Sequence, residues 1–562
     1  MTDEDEYDPF RSFQTRNAVL RRGGYATLLT LAGGGMSSWE GLALTRWSAD
    51  RTRDAEGLFI WLDNWRGSDE LSAGAQPMRE GIHGYDPALP AFNRTGKEIH
   101  VHVQVRLAPE GDAELRRVRV NNFHHDDRRV YATTYAELAL NTPTGDAAHP
   151  AFSKLFVQTE WDAEREALLA SRRLRSPDDA PLWAVHAVRV PENEYRVRPV
   201  QYETDRSRFV GRGHSLADPR AVLPTGQLSS TVGNVLDPVF SIRQQIDVPA
   251  EDVTEFVVIL GAGRTREQAR AIADRYATLE LALAAFEAAG EADEVWLDDD
   301  GGEEERAAAV AVPASWMRNA HGLGALSLMG MPPEEEEGAE NWYDRVPDLY
   351  QEAWLPTRDD PAPFPEALHF FNGFGGFSQD GREYVIRLPG WRYPPVRPPL
   401  PWTNVIANEE AGFLVSESGA ASTWAANSRE NRLTPWSNDP VSDPHGEALH
   451  LRDEEGEKRF WSPTPGPNPG YGWYEVRHGF GYTRFLHTSL ELRQETTMFV
   501  PRRGPVKVVR LRVTNEGHQT RRLSAFSYAH LVLGGLPQET VENVVTRWDD
   551  AAGAIFATNR RR

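Results

Sequence analysis

Apolar and polar positions alternate in short runs through most of the first 260 or so residues. Ile99 to Leu107, IHVHVQVRL, puts an apolar side chain at every second position, the period of a strand with one face buried. Arg117–Val120 and Val130–Leu140 follow, rich in β-branched and aromatic residues, on either side of a polar turn at His124–Asp127. Short alternating runs joined by turns predict antiparallel sheets packed as a sandwich. The period changes at Thr265. Ala269, Ile272, Tyr276, Leu279, Leu283 and Phe286 recur at three- and four-residue spacing, which predicts one amphipathic helix, capped by Thr265 with Gln268 three residues on, that packs against the sandwich or begins a helical linker. Asp298–Glu305 and Glu334–Glu337 are acidic and read as solvated linker, with a short helical piece between Ala307 and Met331. Strand patterning resumes near Phe370, where Asn372-Gly373 and Asp380-Gly381 sit between apolar runs and signal hairpin turns.

The pattern also occurs twice. Leu29–Asp50 reads LTLAGGGMSSWEGLALTRWSAD and Leu414–Asp439 reads LVSESGAASTWAANSRENRLTPWSND, so Trp39 falls on Trp424, Trp47 on Trp436 and Asp50 on Asp439. Further on, Asn121 is set against Asn515, Arg128-Arg129 against Arg521-Arg522, Tyr135 against Tyr528 and Trp161-Asp162 against Trp548-Asp549. The offset stays between 385 and 394. A period this long means two large domains and not a solenoid. The expected organisation is mainly β: a first antiparallel super-sandwich over 10–263, a helical and acidic linker over 264–365, and a second super-sandwich over 366–562. The first copy runs on past Trp161 to about Gly263, so the second is expected to be incomplete and the chain to be a fragment.

Composition narrows the function classes. A hydrophobic fraction of 40% and 17 Trp support sizeable cores and exclude a disordered chain. The net charge of −22 argues against nucleic acid as a partner. With no Cys there are no disulfides, thiolate zinc sites or cysteine nucleophiles. The acidic start, MTDEDEYDPF, is unlike a signal peptide, and no run approaches 18 apolar residues. A cytoplasmic protein without direct membrane insertion is the expectation. His100 and His102 share a strand face and His124-His125 a turn, so neither pair forms a ligand set; no metal site and no cofactor are expected.

Candidate chemistry concentrates between Thr423 and Asp443, a stretch with two Trp, two Arg, three Asn, Glu430, Asp439 and Asp443 and hardly an aliphatic residue. Pyranose rings stack an apolar face on Trp, while their hydroxyls need planar donors and acceptors such as Arg, Asn and Asp. Trp424, Arg429, Glu430, Asn431, Arg432, Trp436 and Asp439 are therefore the candidate substrate-binding residues. The alternative is a surface loop whose Trp residues tuck under a sheet. Glu430 and Asp439 form a carboxylate pair of the kind glycoside hydrolysis uses, but nine residues of loop spacing point only weakly to catalysis, and no catalytic residue is assigned. In the first copy Trp39 and Trp47 have fewer polar companions, Arg46, Asp50 and Asp54, and read as core residues beside a salt-bridged edge.

The same residues carry a family resemblance. SGAASTWAANSRENRLTPWSNDPVSDPHGEALHLRDEEG through WSPTPGP (Ser418–Pro467), FNGFGGFSQDGREYVIRL and PWTNVIAN resemble the N-terminal β-sandwich of cyclic β-1,2-glucan synthases and of cellobiose- and chitobiose-type glycoside phosphorylases. HPAFSKLFVQTEWD, YETDRSRFVGRG and GNVLDPVFSIR in the first copy resemble the synthases too. The resemblance implies super-sandwiches followed by helical linkers, the last leading into an (α/α)6 barrel that carries the general acid and binds phosphate. It also implies a membrane-embedded glycosyltransferase region upstream. No stretch of this chain corresponds to the barrel, so the family's catalytic residues find no positions here. The loop Arg429–Trp436 matches one near the active-site mouth of the phosphorylases, which implies substrate contact. Three readings follow: a non-catalytic carbohydrate-binding portion, with β-glucan oligosaccharide or polysaccharide as partner; a glycosidase using the loop carboxylates; or a structural spacer. Association with a catalytic barrel domain, or a homodimer, completes the first.

Overall fold

The computed structural model describes residues 17–317 and 364–561, apart from 31–32, 49–54, 64–70, 73–81, 87–88, 97–98, 175, 177–178, 193–198, 218, 224–225, 291–293, 298–302, 314–315, 389–395 and 456–458. Asp50, Asp54 and most of the expected acidic linker, Glu334–Glu337 included, lie outside these residues. The chain separates into two compact units, 1–336 and 337–562.

The first unit is built on two antiparallel sheets. One runs in the order Gln201–Asp205, Pro238–Val248, Arg128–Asn141, Leu42–Thr45, Gly35–Trp39, Tyr25–Leu29, Ala18–Arg22 and Glu294–Leu297, with Leu58–Asp63 also paired to Arg128–Asn141. The other runs Val157–Asp162, Ala167–Arg172, Trp183–Arg189, Val253–Gly263, Ala113–Asn122, Ile99–Leu107, Ala91–Thr95 and Ile82–Asp86. Their inner faces share one core: Leu44, Ile60, Val130, Phe240 and Ile242 from the first sheet meet Val103, Val118, Phe256 and Val258 from the second. Ile99–Leu107 alternates buried and half-exposed residues along its whole length, as its sequence period requires.

Some strands of this unit are buried on both faces, and the reason lies after residue 263. The expected single helix is two, Arg266–Arg275 and Leu279–Ala289. Thr265 caps the first in a reciprocal capping box with Gln268. The helix stops at Tyr276 because Thr278 starts the second, its hydroxyl accepting from the Leu281 N–H. The apolar stripe survives the break, since Ala269, Ile272 and Phe286 all pack on Leu115, Val257 and Ile259 of the second sheet. The acidic run Glu303–Glu305 opens a further helix, Glu303–Ala309. Ala307, Val310, Trp316 and Met317 then cover Leu28, Met36 and Trp47 on the outside of the first sheet. The helices after residue 263 thus pack against the sandwich, one of the two expectations, and with Ala307–Met317 they cover both outer faces of the first unit.

The second unit has a six-stranded antiparallel sheet, Gly375–Phe377, Glu383–Leu388, Tyr474–Gly479, Tyr482–Ser489, Leu492–Phe499 and Val508–Asn515. Facing it are Thr403–Ala407, Ala411–Ser416 and Ala421–Ala425, so that Ile406, Phe413 and Val415 pack on Ile386, Val476 and Phe485. The strands Phe460–Trp461, Glu447–Asp453 and Leu523–Ala529 form another three-stranded sheet, and Val544–Asp549 pairs with Ala554–Asn559. The Asp380-Gly381 turn joins Gly375–Phe377 to Glu383–Leu388, with Gly381 at φ 69°, a conformation glycine adopts without strain.

Several strand pairings of the first unit have counterparts in the second. Phe59 pairs with Tyr135 in the first, as Ala448 pairs with Tyr528 in the second. Leu42–Thr45 lies between Gly35–Trp39 and Arg128–Asn141; Arg432 likewise bridges Trp424 and Gly534. One matched pair shifts by a residue. Asn515 donates to the Gln519 carbonyl and accepts from the Gly517 N–H. In the first unit those bonds are made by Asn122, to the Asp126 carbonyl and from the His124 N–H, not by Asn121.

Candidate functional site

The strands Ala411–Ser416 and Ala421–Ala425 form a hairpin, and the chain leaves the sheet after Ala425 for the polar stretch singled out above. Ala426 takes φ 59°, and the Asn427 side-chain oxygen accepts from the N–H groups of Arg429 and Glu430 at 2.8 and 2.9 Å, a side-chain-closed turn. The chain then runs back beside its own strand, with the Leu433 N–H donating to the Thr423 carbonyl. Past Thr434 it turns outward through Pro435–Pro444.

The expected site residues divide into two groups. In the first, Arg429 and Glu430 are exposed and ion-paired at 3.2 Å. Asn431 donates to the Ala425 carbonyl at 2.9 Å. The Arg432 guanidinium donates to the carbonyls of Ser428 and Gly535 at 3.1 and 3.2 Å, tying the loop to the segment after Leu523–Ala529. Trp424 is half-buried and lies across the sheet on Gly412, where an added Cβ would come within 2.5 Å of the indole. Of these, Asn431 and Arg432 hold the turn in shape.

The second group lines a cavity of about 230 Å3. Trp436 and Asp439 line it, with Leu400, Asn438 and Asp443 and four prolines, Pro401, Pro435, Pro440 and Pro444. Proline has a fixed φ and no N–H, so these walls are stiff and leave few backbone donors to satisfy. Asp439 accepts from the N–H groups of Val441 and Ser442 and from the Ser442 hydroxyl. Asp443 is buried; its Oδ2 accepts from the hydroxyls of Ser416 and Ser418, each at 2.7 Å. Asn438 and Asp443 sit at φ 49° and 44°, a left-handed turn conformation that Asn and Asp adopt more readily than other non-glycine residues.

A half-buried ion pair braces the same hairpin. Glu447 accepts from the hydroxyls of Thr423 and Thr434 and from Lys507, and the Lys507 ammonium lies 4.4 Å from the Phe413 ring centre. Burial would push the Glu447 carboxyl up, but Lys507 and the two threonine hydroxyls outweigh it and hold the group below its ordinary value.

The cavity recruits residues that the pattern of the polar stretch did not mark. Asp443 was in view, but not as a wall. Leu400 and Pro401 arrive from the end of a Pro-rich stretch, while Ser416 and Ser418, outside the lining, hold Asp443 from the hairpin. The density of proline around Trp436 was the one signal available. In the first unit Trp39 and Trp47 are buried. Arg46 beside them pairs with Asp146 at 2.7 Å and Glu137 at 3.3 Å, and Trp47 meets Trp316 edge-on at 6.4 Å.

Stacked antiparallel sheets in two successive units define a large β-sandwich protein. The sequence model of the Glycosyl hydrolase 94 supersandwich domain matches residues 14–279 and 382–562, and the chain belongs to that family. It is 31% identical to the cyclic beta-(1,2)-glucan synthase NdvB of Rhizobium meliloti (strain 1021), over 97% of this chain and 24% of that protein. It is 32% identical to an N,N'-diacetylchitobiose phosphorylase of Vibrio furnissii, over 28% of this chain and 19% of that one. A 3-O-beta-D-glucopyranosyl-beta-D-glucuronide phosphorylase of Paenibacillus borealis is 29% identical over 29% of this chain and 19% of its own length. The chain thus spans about a quarter or less of the length of these relatives.

Proposed function

We propose that this chain is a carbohydrate-recognising, non-catalytic portion of a glucan synthase- or phosphorylase-type protein, and that β-linked glucan contacts it at the cavity beside Trp436. The observation that carries this reading is the cavity itself: an indole and proline rings for the apolar face of a pyranose, with Asn438, Asp439 and Asp443 for its hydroxyls. The glycosidase reading has less support, because Asp439 lines the cavity and Glu430, its expected partner, does not. In this reading the module works beside a catalytic barrel domain, and the β-1,2 linkage follows the name of the synthase relative. Saturation-transfer NMR and calorimetric titration with β-1,2-linked glucan oligomers test it. The expected result is saturable binding in the millimolar to high-micromolar range, about −4 to −6 kcal/mol, weakened severalfold or more in Trp436→Ala. Absence of binding would leave the structural-spacer reading. Release of reducing sugar, abolished in Glu430→Gln, would establish catalysis instead.

A further inference from the structure

In both units a threonine stands two residues before the second of the matched tryptophans, Thr45 before Trp47 and Thr434 before Trp436. Each is held in the same way. The Thr45 hydroxyl accepts from the Ser37 N–H at 2.9 Å, and the Thr434 hydroxyl from the Thr423 N–H at 2.8 Å. The hydroxyls of Ser37 and Thr423 in turn donate to a carboxylate, Glu114 in the first unit and Glu447 in the second. A cation meets each carboxylate, Arg116 at 2.9 Å in the first unit and Lys507 in the second. Different strands supply the acid. Asn122 and Asn515 make matching bonds, and eight residues before them stand Glu114 and Lys507. Tyr135 and Tyr528 pair with Phe59 and Ala448. One residue before these stand Leu58, whose carbonyl accepts from Arg116, and Glu447. The same place in the fold therefore holds a hydroxyl, a carboxylate and a cation in both copies, although the acid comes from a different strand in each.

In the second unit this clasp adjoins the cavity wall. Thr434 Oγ1 accepts from the Thr423 N–H and donates to Glu447 Oε1 at 2.7 Å, while the Thr434 carbonyl accepts from the Ser422 hydroxyl at 3.1 Å. Pro435 follows with its φ locked and restricts Thr434 as well, so few soft dihedrals separate the clasped Thr434 from the Trp436 indole. Thr434, Glu447 and Lys507 are not among the residues that line the cavity. We propose that Thr434, clasped by the Glu447–Lys507 pair, is the positioning residue for Trp436 and sets glucan affinity from outside the lining, a role that rests on the carbohydrate reading above and deepens it.

The test compares, in the full chain, Thr434→Val, which keeps the side-chain shape and loses the hydroxyl, with Thr434→Ser, which keeps the hydroxyl. Fluorotryptophan incorporated throughout gives a fluorine resonance for Trp436, assigned by its loss in Trp436→Phe. Thr434→Val leaves the Thr423 N–H without its acceptor and Glu447 with one donor fewer. It should move the Trp436 resonance, leave those of Trp39 and Trp47 in place, and weaken binding of a β-1,2-linked glucan trisaccharide severalfold. Thr434→Ser should return both readouts to those of the unsubstituted chain. Thr423→Val, which removes only the neighbouring hydroxyl, is the milder variant and should move both in the same direction by less. A merely structural threonine would lower the melting temperature of the second unit in Thr434→Val with the Trp436 resonance unmoved, and that result would overturn the proposal. Equal trisaccharide affinity in Thr434→Val and the unsubstituted chain would overturn it too. If the unsubstituted chain binds no trisaccharide, the carbohydrate reading fails, and the resonance alone decides whether Thr434 positions Trp436.

Discussion

At the scale of single residues, side chains that look alike in the sequence do different work. Trp424 and Trp436 sit twelve residues apart in one polar stretch; the first covers Gly412 and the second lines the cavity. Arg429 is an exposed partner of Glu430, while Arg432 fastens two segments together. The most demanding residue near the site is Lys507, because Glu447 is largely buried and needs its charge. Lys507→Met leaves a carboxylate with two hydroxyl donors and no cation, and removing one member of a buried pair typically costs about 3–5 kcal/mol. We expect chemical denaturation to report a loss near the lower end of that range for the second unit. Arg429→Met, which breaks an exposed pair, should change stability by less than about 0.5 kcal/mol. Equal effects would mean that Glu447 is adequately solvated without Lys507.

At the scale of elements, three histidines tie strands to their neighbours. His186, on Trp183–Arg189, lies within hydrogen-bonding distance of the Thr134 hydroxyl and the Ile259 carbonyl, at 2.7 and 2.9 Å. His478, on Tyr474–Gly479, lies 3.1 Å from the Trp402 carbonyl. His487, on Tyr482–Ser489, stacks on Tyr474 at 3.8 Å and lies 3.0 Å from the Trp473 carbonyl. Burial pushes each imidazole down to about 4. An unfolded His titrates near 6.5. Above that pH neither state binds the proton, and the stability is fully present. Between about 6.5 and 4 the unfolded chain takes up protons that the folded chain refuses, so stability is lost as pH falls, by at most about 1.4 kcal/mol per pH unit for each group. Scanning calorimetry should therefore show both units melting at lower temperature as pH drops from 6.5 to 4. The second unit, with two such histidines, should fall more steeply than the first with one. Melting temperatures constant across that window would contradict the assignment of neutral buried imidazoles.

At the scale of the whole molecule, the contrast between matched strands stands out. Tyr135 is 1% exposed and packs against Phe209 at 4.7 Å, while its counterpart Tyr528 is 50% exposed. Trp161 stacks on Tyr202 at 4.3 Å, while Trp548 is 56% exposed. The cause lies in the neighbouring elements. In the first unit Pro238–Val248 flanks Arg128–Asn141, and Val253–Gly263 flanks Ala113–Asn122. Among the described residues of the second unit, Leu523–Ala529 pairs with Glu447–Asp453 and Val508–Asn515 with Leu492–Phe499, each along one edge only. Unpaired edges beside exposed Phe526, Ile555 and Phe556 predict self-association of this chain when it is studied alone. The chain should therefore scatter light in a concentration-dependent way, and Phe526→Lys with Ile555→Lys should reduce that scattering with little loss of stability. Limited proteolysis should leave the first unit, up to about residue 317, intact longest, since later residues cover both of its outer faces. Equal resistance of the two halves would refute this account.

Much of this was legible in the chain. Alternation in IHVHVQVRL determined a one-sided strand because a strand's side chains alternate by geometry, whatever surrounds it. The Thr265 cap, the Asp380-Gly381 turn and the matched Trp and Tyr positions are likewise local or internal signals, as are the long motifs behind the family resemblance. Other features depended on neighbours that no local pattern specifies. A three- and four-residue period cannot distinguish one helix from two that share a stripe, and no local pattern shows that Ala307 and Trp316, after the acidic run, cover a sheet. The polar stretch marked where chemistry could lie, but its division into turn-holding residues and cavity walls was decided by Gly412, Pro401 and Ser418, which reach it from other segments. Local conformation follows from covalent geometry and short-range hydrogen bonds, so the sequence determines it; a cavity is the space left between distant segments, and only their packing decides its walls.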